Sequence, residues 1–340
     1  MGSTRSRVWR DGQVAAQDIQ LEELSRYLDQ DGQLVWFDLC DPDQDQLGDL
    51  AAELALDPLA VEDAVAHLER TKAVRYSHYT FLKAYATQVT SADSGATNAD
   101  KGRVSIGSHL YVEPVSAFVM RTGVVTVRHA GRFDMSDVVA RWDDNAEMLK
   151  YGVGSLVHDL LDVIVDGHFD TVQALDDVME GLEDILFDLK VNTAEVQRRT
   201  YQVRKDLVRL RRVVLPMRDL VSTIRHSGEQ TGAPAELDAP YADLYDHVLR
   251  VTEWTTSLQD MVTTIFETNL SLQDARLNTV MKKLTSWAAI IAVPTAITGY
   301  FGQNLPYPGF GQESGFIASI VLIVGIAGAL YLLFRRKDWL

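Results

Sequence analysis

The C-terminal fifth of the chain consists of two long apolar stretches separated by a short loop. Between the lysine that precedes the first stretch and the arginine that follows the second, the only charged residue is Glu313. Each stretch can cross the ~30 Å hydrocarbon core of a bilayer at a helical rise of ~1.5 Å per residue. The pattern therefore predicts a membrane hairpin: a first span at about 284–303, an outer loop at 304–315 and a second span at about 316–334.

Basic residues lie at both outer ends of the predicted hairpin. Lys282 and Lys283 precede the first span, and residues 335–337 (RRK) follow the second. Because basic residues that flank membrane helices tend to stay on the cytoplasmic side, both ends of the hairpin are predicted to lie in the cytoplasm. The chain is thus predicted to be a multi-pass protein of a cell membrane (inner or plasma membrane), with both termini cytoplasmic.

Upstream of the hairpin, the pattern of apolar residues divides the chain into two cytosolic parts. Residues 1–150 mix β-branched and aromatic runs with short helical repeats, which indicates an α/β domain. Strands are predicted at residues 34–37, 79–89, 109–120 and 124–128, and helices at 19–28, 47–54 and 58–68. Residues 151–282 show helical spacing over long stretches and form a predicted stalk domain. Residues 283–340 are the hairpin and its basic tail.

One long helix is predicted to join the stalk to the first span. After Pro240 no proline occurs before Pro294, and no glycine occurs before Gly299. A continuous helix over residues 241–300 would be ~90 Å long at ~1.5 Å per residue. Its polar half needs partners, because an isolated helix is only marginally stable in water. Movement at the cytosolic end is therefore expected to be coupled to the membrane end.

Two successive stretches of the stalk carry opposite charge. Residues 156–189 are strongly acidic, and residues 193–224 are strongly basic. Helices of opposite charge that follow each other in sequence most simply pack as an antiparallel pair with ion pairs between them. An anion-binding site is the alternative interpretation of the basic stretch.

Composition narrows the range of functions. The formal net charge of −16 and a pI of about 4.9 argue against a nucleic-acid partner. The single cysteine, Cys40, excludes an intramolecular disulfide and fits a reducing cytoplasm. The cytosolic part contains no glycine-rich phosphate loop, no catalytic constellation and no motif for an organic cofactor, so we do not expect an enzyme.

A hairpin of two spans encloses no pore, so a polar solute could pass only if several copies surrounded an axis. The first span is the candidate lining, because the second is apolar on all sides and indicates a lipid-facing helix. Residues at steps of three and four give this segment one face that is mostly small or weakly polar: Asn278, Met281, Leu284 or Thr285, Ala288, Ala292, Thr295 and Gly299. The small residues among them would also suit close helix packing, and the pattern leaves both interpretations open.

The end of the first span is rich in oxygen atoms that a cation could meet. Gly302, Gln303 and Asn304 offer backbone and amide oxygens at the predicted outer mouth. Hard cations take oxygen ligands and Mg²⁺ gives up its water reluctantly, so a ring of such oxygens suits a hydrated ion. Asn278 near the cytosolic mouth either adds a second amide ring or is an ordinary surface residue. Pro294 interrupts one backbone hydrogen bond and serves as a hinge or as a simple bend.

Several long motifs together resemble the CorA family of divalent-cation transporters. They include residues 278–285 (NTVMKKLT), residues 294–304 (PTAITGYFGQN) and the tail at 334–340 (FRRKDWL). Further matches, in the order in which the family has them, lie at 57–63 (DPLAVED), 160–166 (LLDVIVD), 210–216 (LRRVVLP) and 243–247 (DLYDH). The similarity covers roughly residues 30–340.

The resemblance implies a funnel-shaped homopentamer with an α/β/α cytosolic domain, a long α-helical stalk and two C-terminal transmembrane helices per subunit. It implies influx of Mg²⁺, with Co²⁺ and Ni²⁺ as possible further cargo, through a pore lined by the first span. Asn304 matches the family's selectivity asparagine, and Met281 and Leu284 match its hydrophobic constriction. The implied partners are other copies of the chain, the lipid bilayer and divalent cations.

The resemblance also implies regulation by Mg²⁺ that binds between neighbouring cytosolic domains. The matching carboxylates are those of Glu62, Asp63, Asp162 and Asp243. Bound cations would neutralise these acids and hold a symmetric closed state, and their loss at low internal Mg²⁺ would loosen the ring. Without the resemblance, the same acids would be interpreted as solvated surface charges or helix caps.

Two loop residues depart from the family's usual Tyr-Gly-Met-Asn. Phe301 stands in place of the tyrosine and Gln303 in place of the methionine. The amide ring remains possible, but the identity of the ion is open. The leading interpretation is a Mg²⁺ channel. The alternatives are a zinc transporter of the ZntB type, with or without proton coupling, and a non-conducting membrane scaffold that senses cations.

Overall fold

The computed structural model describes residues 3–66, 69–90, 109–186, 193–231, 234–303 and 306–340. Contacts divide the chain into two compact units, Met1–Ile265 and Phe266–Leu340. The first unit contains a seven-stranded sheet with helices packed on it. The predicted division into three parts, at residues 150 and 282, stays a prediction.

The sheet is mixed, with the strand order β2-β1-β3-β7-β6-β5-β4. Its strands are β1 (Ser3–Arg10), β2 (Gln13–Gln17), β3 (Gln33–Cys40), β4 (Lys72–Arg75), β5 (Thr80–Thr90), β6 (His109–Val119) and β7 (Gly123–Arg128). The pair β3–β7 is parallel, and the other described pairs are antiparallel. The four predicted strands correspond to β3, β5, β6 and β7, whereas β1, β2 and β4 are not among the predicted ones.

The described residues form helices of very different lengths. They are α1 (Leu24–Leu28), α2 (Gln44–Glu53), α3 (Pro58–Val65), α4 (Met135–Asp144), α5 (Val153–Leu186), α6 (Thr193–Val214), α7 (Met217–Thr231), α8 (Asp238–Phe301) and α9 (Glu313–Arg336). The start of α3 follows from its sequence: the Asp57 carboxylate accepts a hydrogen bond from the Leu59 amide, and Pro58 occupies the first helical position.

Both faces of the sheet are covered by helices. Successive side chains of a strand point to opposite faces, so β3 contributes to two separate apolar clusters. Val35 and Phe37 pack in a cluster with residues of α1, α2 and α3. Trp36 packs in another with Trp142 of α4 and with residues of α5, α7 and the beginning of α8. The result is an α/β/α arrangement, with α3 on one face and α5 on the other.

Apolar packing joins α5 to α6. Leu175 of α5 and Leu207 of α6 lie in one buried cluster. The predicted ion pairs between the two helices stay a prediction. Glu195 pairs with Arg198 and Arg199 of its own helix. The free energy needed to remove many charges from water exceeds the gain from their attraction, so the apolar sides of the helices face each other.

A single helix, α8, runs without interruption from Asp238 to Phe301, with Pro294 inside it. This confirms the predicted continuous helix. The helix that ends at Phe301 and the helix Glu313–Arg336 are both long and apolar enough to cross a membrane, with mean hydropathies of 1.4 and 2.6 over their most apolar segments. An α/β domain, long helices and two candidate C-terminal membrane helices are thus all present, which confirms the predicted fold class of a single chain. The funnel-shaped homopentamer stays a prediction.

Candidate functional site

The predicted pore-lining residues lie on one exposed face of α8. At 100° per residue they fall within about a third of the helix circumference. All seven are exposed in the single chain: Asn278, Met281, Leu284, Ala288, Ala292, Thr295 and Gly299. Met281 is 57% exposed and Leu284 63% exposed, although both are apolar. A soluble protein would bury such a face, so it is available for a bilayer or for other copies of the chain.

The opposite side of the same helix segment is less exposed. Ser286 is buried, and Ile290, Val293 and Ile297 are half-buried. On the exposed side, a side chain placed at Gly299 would meet no atom within 4 Å. The segment therefore has two distinct sides, and the predicted lining residues all fall on the open one. Their role in lining a pore stays a prediction.

The first span ends in a group of aromatic residues. The Tyr307 hydroxyl donates a hydrogen bond of 3.0 Å to the Phe301 carbonyl oxygen. The rings of Phe301 and Tyr307 meet edge to face with centroids 5.1 Å apart, and Tyr307 meets Phe310 in the same way at 5.3 Å. These contacts fix the backbone immediately before Gly302, whose amide donates to the Thr298 carbonyl at 2.8 Å. Gln303 is exposed.

Asn304, the predicted selectivity residue, lies outside the described residues. Gly302 permits the chain to turn close to the end of α8, because a Cβ at this position would lie 2.9 Å from the Thr298 carbonyl oxygen. The selectivity role of Gly302, Gln303 and Asn304 stays a prediction.

Asp63, one of the four predicted regulatory acids, already has a basic partner. The Lys72 ammonium lies 2.7 Å from its carboxylate and 3.1 Å from that of Glu69. Burial alone would lower the pKa of Lys72, but its hydrogen bonds to the two carboxylates hold that pKa above its ordinary value. The ammonium of Lys83 lies beneath, donating to the carbonyl oxygens of Asp63 at 2.9 Å and of Ala64 at 3.0 Å.

Lys83 is fully buried near the C-terminal end of α3. Burial lowers its pKa to about 8, and the nearby carboxylates of Asp63 and Glu69 oppose that change. A cation at this end of a helix is stabilised by the carbonyl groups that have no partner within the helix. Lys83 thereby ties α3 to β5.

Asp162 and Asp243 also contact basic side chains. The Arg141 guanidinium bridges two acids about one turn apart on α5, pairing with Asp162 and, at 2.7 Å, with Asp166. Burial raises the pKa of Asp162 and the neighbouring Asp166 raises it further, while Arg141 opposes both. Asp243 lies 3.6 Å from the imidazole of His247, and its side chain is 71% exposed.

The structure does not bring the four predicted acids together within one chain. Glu62 and Asp63 lie on α3, Asp162 on α5 and Asp243 on α8. Among the described residues, no group of three or more histidine, cysteine, aspartate or glutamate side chains is arranged to hold a metal ion. A metal shared by these acids would therefore have to use more than one copy of the chain.

The basic partners of these acids are absent from the sequence-based prediction. Lys72, Arg141 and His247 belong to no metal-ligand motif, and two of them come from elements other than the one that carries the acid. Of these three partners, only His247 could have been predicted from the sequence, because it follows Asp243 by four residues on one helix.

Comparisons with known proteins bear on both the membrane part and the cytosolic part. A family model described as CorA-like Mg²⁺ transporter protein matches residues 31–336. YfjQ of Bacillus subtilis (strain 168), which carries the provisional name of a metal ion transporter, is 26% identical over 309 residues, 89% of each chain.

Solved structures show the same fold at lower identity. The complete CorA magnesium transporter of Methanocaldococcus jannaschii is similar with a TM-score of 0.72 and 20% identity, over 99% of this chain and 98% of that one. The ZntB cytoplasmic domain of Vibrio parahaemolyticus (RIMD 2210633) is similar with a TM-score of 0.56 and 11% identity, over 81% of this chain and 100% of that one.

Proposed function

The chain belongs to the CorA-like Mg²⁺ transporter family, and we propose that it is a homopentameric membrane channel that admits Mg²⁺. The family match confirms the resemblance carried by its motifs. The observation that most supports conduction by this chain is the exposed face of α8 between Asn278 and Gly299. Five such faces around an axis would cover one another and enclose a path, which one hairpin cannot do.

The proposed path runs along the first span. Asn278 lies near the cytosolic mouth, Met281 and Leu284 form the hydrophobic constriction, and the loop at Gly302, Gln303 and Asn304 meets the hydrated ion outside. Ions move down their electrochemical gradient, and Co²⁺ and Ni²⁺ are possible further cargo. Amide and carbonyl oxygens suit Mg²⁺ because they can hold it through its tightly bound water shell.

The proposed topology places both termini in the cytoplasm. Basic residues flank both candidate spans, at Lys282, Lys283 and 335–337, and such flanks tend to stay on the cytoplasmic side. Because α8 contains both Asp243 and the pore-lining positions, a displacement of its cytosolic end would be transmitted along one continuous helix.

We further propose that Glu62, Asp63, Asp162 and Asp243 hold regulatory Mg²⁺ between neighbouring subunits. Their carboxylate oxygens are suitable ligands, and Mg²⁺ needs only one or two of them because it keeps most of its water. Glu62 and Asp243 are exposed and can meet an ion directly. Asp63 and Asp162 have basic partners, so an ion that binds them competes with an ammonium or a guanidinium.

Flux in liposomes tests the transport proposal. The full-length protein would be reconstituted, and uptake of Mg²⁺, Co²⁺, Ni²⁺ and Zn²⁺ measured in parallel, with and without a proton gradient. We expect Mg²⁺ uptake without a proton gradient, a loss of about tenfold or more (~1.4 kcal/mol) in Asn304→Ala, and a changed ratio of ions in Gln303→Met. Gln312→Ala, which removes an exposed amide elsewhere in the same loop, is the matched control.

Two other outcomes define the competing functions. Preferred, proton-dependent uptake of Zn²⁺ would favour the zinc transporter, for which Gln303 and the similarity to the ZntB cytoplasmic domain are the supporting observations. No flux of any of the four ions, with a correctly assembled protein in the membrane, would contradict the channel and favour the cation-sensing scaffold.

A further inference from the structure

Lys72 contacts one oxygen of the Asp63 carboxylate, the group that the proposed regulatory Mg²⁺ would bind. Its ammonium lies 2.7 Å from one carboxylate oxygen of Asp63. The two side chains are only 19% and 25% exposed, so the contact is largely shielded from solvent. A shielded pair with direct hydrogen bonding is more persistent than an ion pair on an open surface.

The charges around Asp63 balance without any metal. Asp63 and Glu69 supply two negative charges, and Lys72 and Lys83 supply two positive ones. Lys83 is buried, and its hydrogen bonds to two backbone carbonyl oxygens of α3 hold it in place. Lys72, by contrast, starts the edge strand β4 and keeps a long flexible side chain with partial access to solvent. Lys72 is therefore the cation of this group that can leave.

Glu69 gives the departing ammonium an alternative partner. Lys72 lies 3.1 Å from the Glu69 carboxylate while it contacts Asp63. When another cation takes Asp63, the Lys72 ammonium can keep its bond to Glu69 and move only a short distance. In this exchange Lys72 loses its ion pair with Asp63 but keeps the one with Glu69, which still neutralises its charge.

We propose that Lys72 is a built-in competitor of the regulatory divalent cation at Asp63, and that it sets the Mg²⁺ concentration at which this site fills. The inference rests on the proposed function, because it takes Asp63 to be a ligand of regulatory Mg²⁺. Mg²⁺ must displace the ammonium and then share the site with a cation that remains on Glu69. Both effects weaken binding, so the site responds at a higher concentration of Mg²⁺ than a free aspartate would.

The test measures metal binding rather than transport. Full-length protein in detergent micelles would be heated at increasing Mg²⁺. A ligand at free concentration c that binds only the folded state stabilises it by RT ln(1 + c/Kd), so a fit of the melting temperature against Mg²⁺ concentration gives the Kd, which is the half-saturating concentration. Removing one unit charge within direct contact of the ligand should lower the half-saturating concentration of Mg²⁺ by about tenfold or more in Lys72→Met. Lys72→Arg, which keeps the charge, should bind more nearly like the original protein.

Two controls separate local competition from other effects. Lys205→Met removes the same charge from an exposed position on α6 and should leave the half-saturating concentration unchanged. In the Asp63→Asn background, Lys72→Met should have no further effect, because the shared site is already lost. If Lys72→Met does not fold, Lys72→Gln replaces it as a neutral polar variant.

A half-saturating concentration within about twofold of the original in the neutral Lys72 variants would overturn the inference. So would a shift of the same size in the Asp63→Asn background. If Asp63 is not a ligand of Mg²⁺, the result differs from this: Asp63→Asn alone would leave Mg²⁺ binding unchanged. Failure of the transport proposal would appear only in the liposome assay and would leave the binding measurements intact.

Discussion

His168 is a buried, neutral histidine whose protonation should destabilise the unit Met1–Ile265. It is 1% exposed, and its Nε2 lies 2.8 Å from the Tyr85 carbonyl oxygen. Because a carbonyl only accepts, Nε2 carries the proton and the ring is the neutral Nε2–H tautomer. Burial disfavours the charged ring and lowers its pKa from 6.5 to about 4, although the bond to Tyr85 opposes this.

The direction of the pH effect follows from the lowered pKa. In the unfolded chain His168 takes up a proton near pH 6.5, whereas in the folded chain it stays neutral until about pH 4. Its favourable contribution is therefore complete above pH 6.5 and is lost as the pH falls toward 4, at up to ~1.4 kcal/mol per pH unit. Between pH 7 and pH 5 the expected loss from this residue alone is ~2 kcal/mol.

Urea unfolding of the full-length protein in detergent, followed by tryptophan fluorescence, measures this loss. Trp9, Trp36 and Trp142 are buried and meet edge to face in the same unit as His168, so they report on its unfolding. The variant His168→Phe cannot titrate. It should be less stable at pH 7, by ~1–3 kcal/mol, because the Tyr85 carbonyl loses its donor.

Other groups also titrate between pH 7 and pH 5. The test therefore compares how the free energy of unfolding changes with pH in the original protein and in His168→Phe. The stability difference between the original protein and His168→Phe should shrink by ~2 kcal/mol from pH 7 to pH 5. His226→Phe, at an exposed position of α7, is the control and should leave the slope unchanged. If His168→Phe has the same pH slope as the original protein, the buried neutral histidine is not the cause and the reasoning is refuted.

Two further substitutions test the packing of the sheet. The Arg128 guanidinium lies 3.0 Å from the Asp38 carboxylate, and Asp38→Ala removes this buried counter-charge. The free energy of unfolding in urea should fall by ~3–5 kcal/mol, and a loss below ~1 kcal/mol would mean that water reaches the arginine. Gly123→Ala would place a Cβ 2.6 Å from the Val35 carbonyl oxygen in the β3–β7 pair and should cost ~1–3 kcal/mol. Gly48→Ala in α2, where a Cβ meets nothing within 4 Å, is its control and should be neutral or stabilising.

Features set by local periodicity could be predicted from the sequence. The membrane stretches are recognisable because a bilayer requires a run of apolar residues of fixed length. The continuity of α8 follows from the absence of glycine and of an internal proline between residues 240 and 294. The strands β3, β5, β6 and β7 are rich in β-branched and aromatic residues. The open face of the first span matches the predicted residues because three- and four-residue steps define one side of a helix.

Features that depend on pairing between distant segments could not be predicted. The strand β1 has the sequence STRSRVWR, which is mostly polar, and it becomes a strand because it pairs along its whole length with β3. The strand β4 is only four residues long and is stabilised by β5. The charges of α5 and α6 suggested ion pairs, but the choice of contact surface followed apolar burial at residues such as Leu175 and Leu207.

Two basic partners of the predicted regulatory acids, Lys72 and Arg141, also depend on pairing between different segments, and they change what the acids can do. A motif identifies a carboxylate but not its neighbour, and Arg141 meets Asp162 only because α4 packs beside α5. Within the proposed function, exposed Asp243 offers a ligand at once, whereas Asp63 offers one only in exchange for Lys72. Sites of the two kinds would fill at different concentrations of Mg²⁺. The response of the channel to internal Mg²⁺ would then be graded by the intramolecular ion pairs, and not by the number of acids alone.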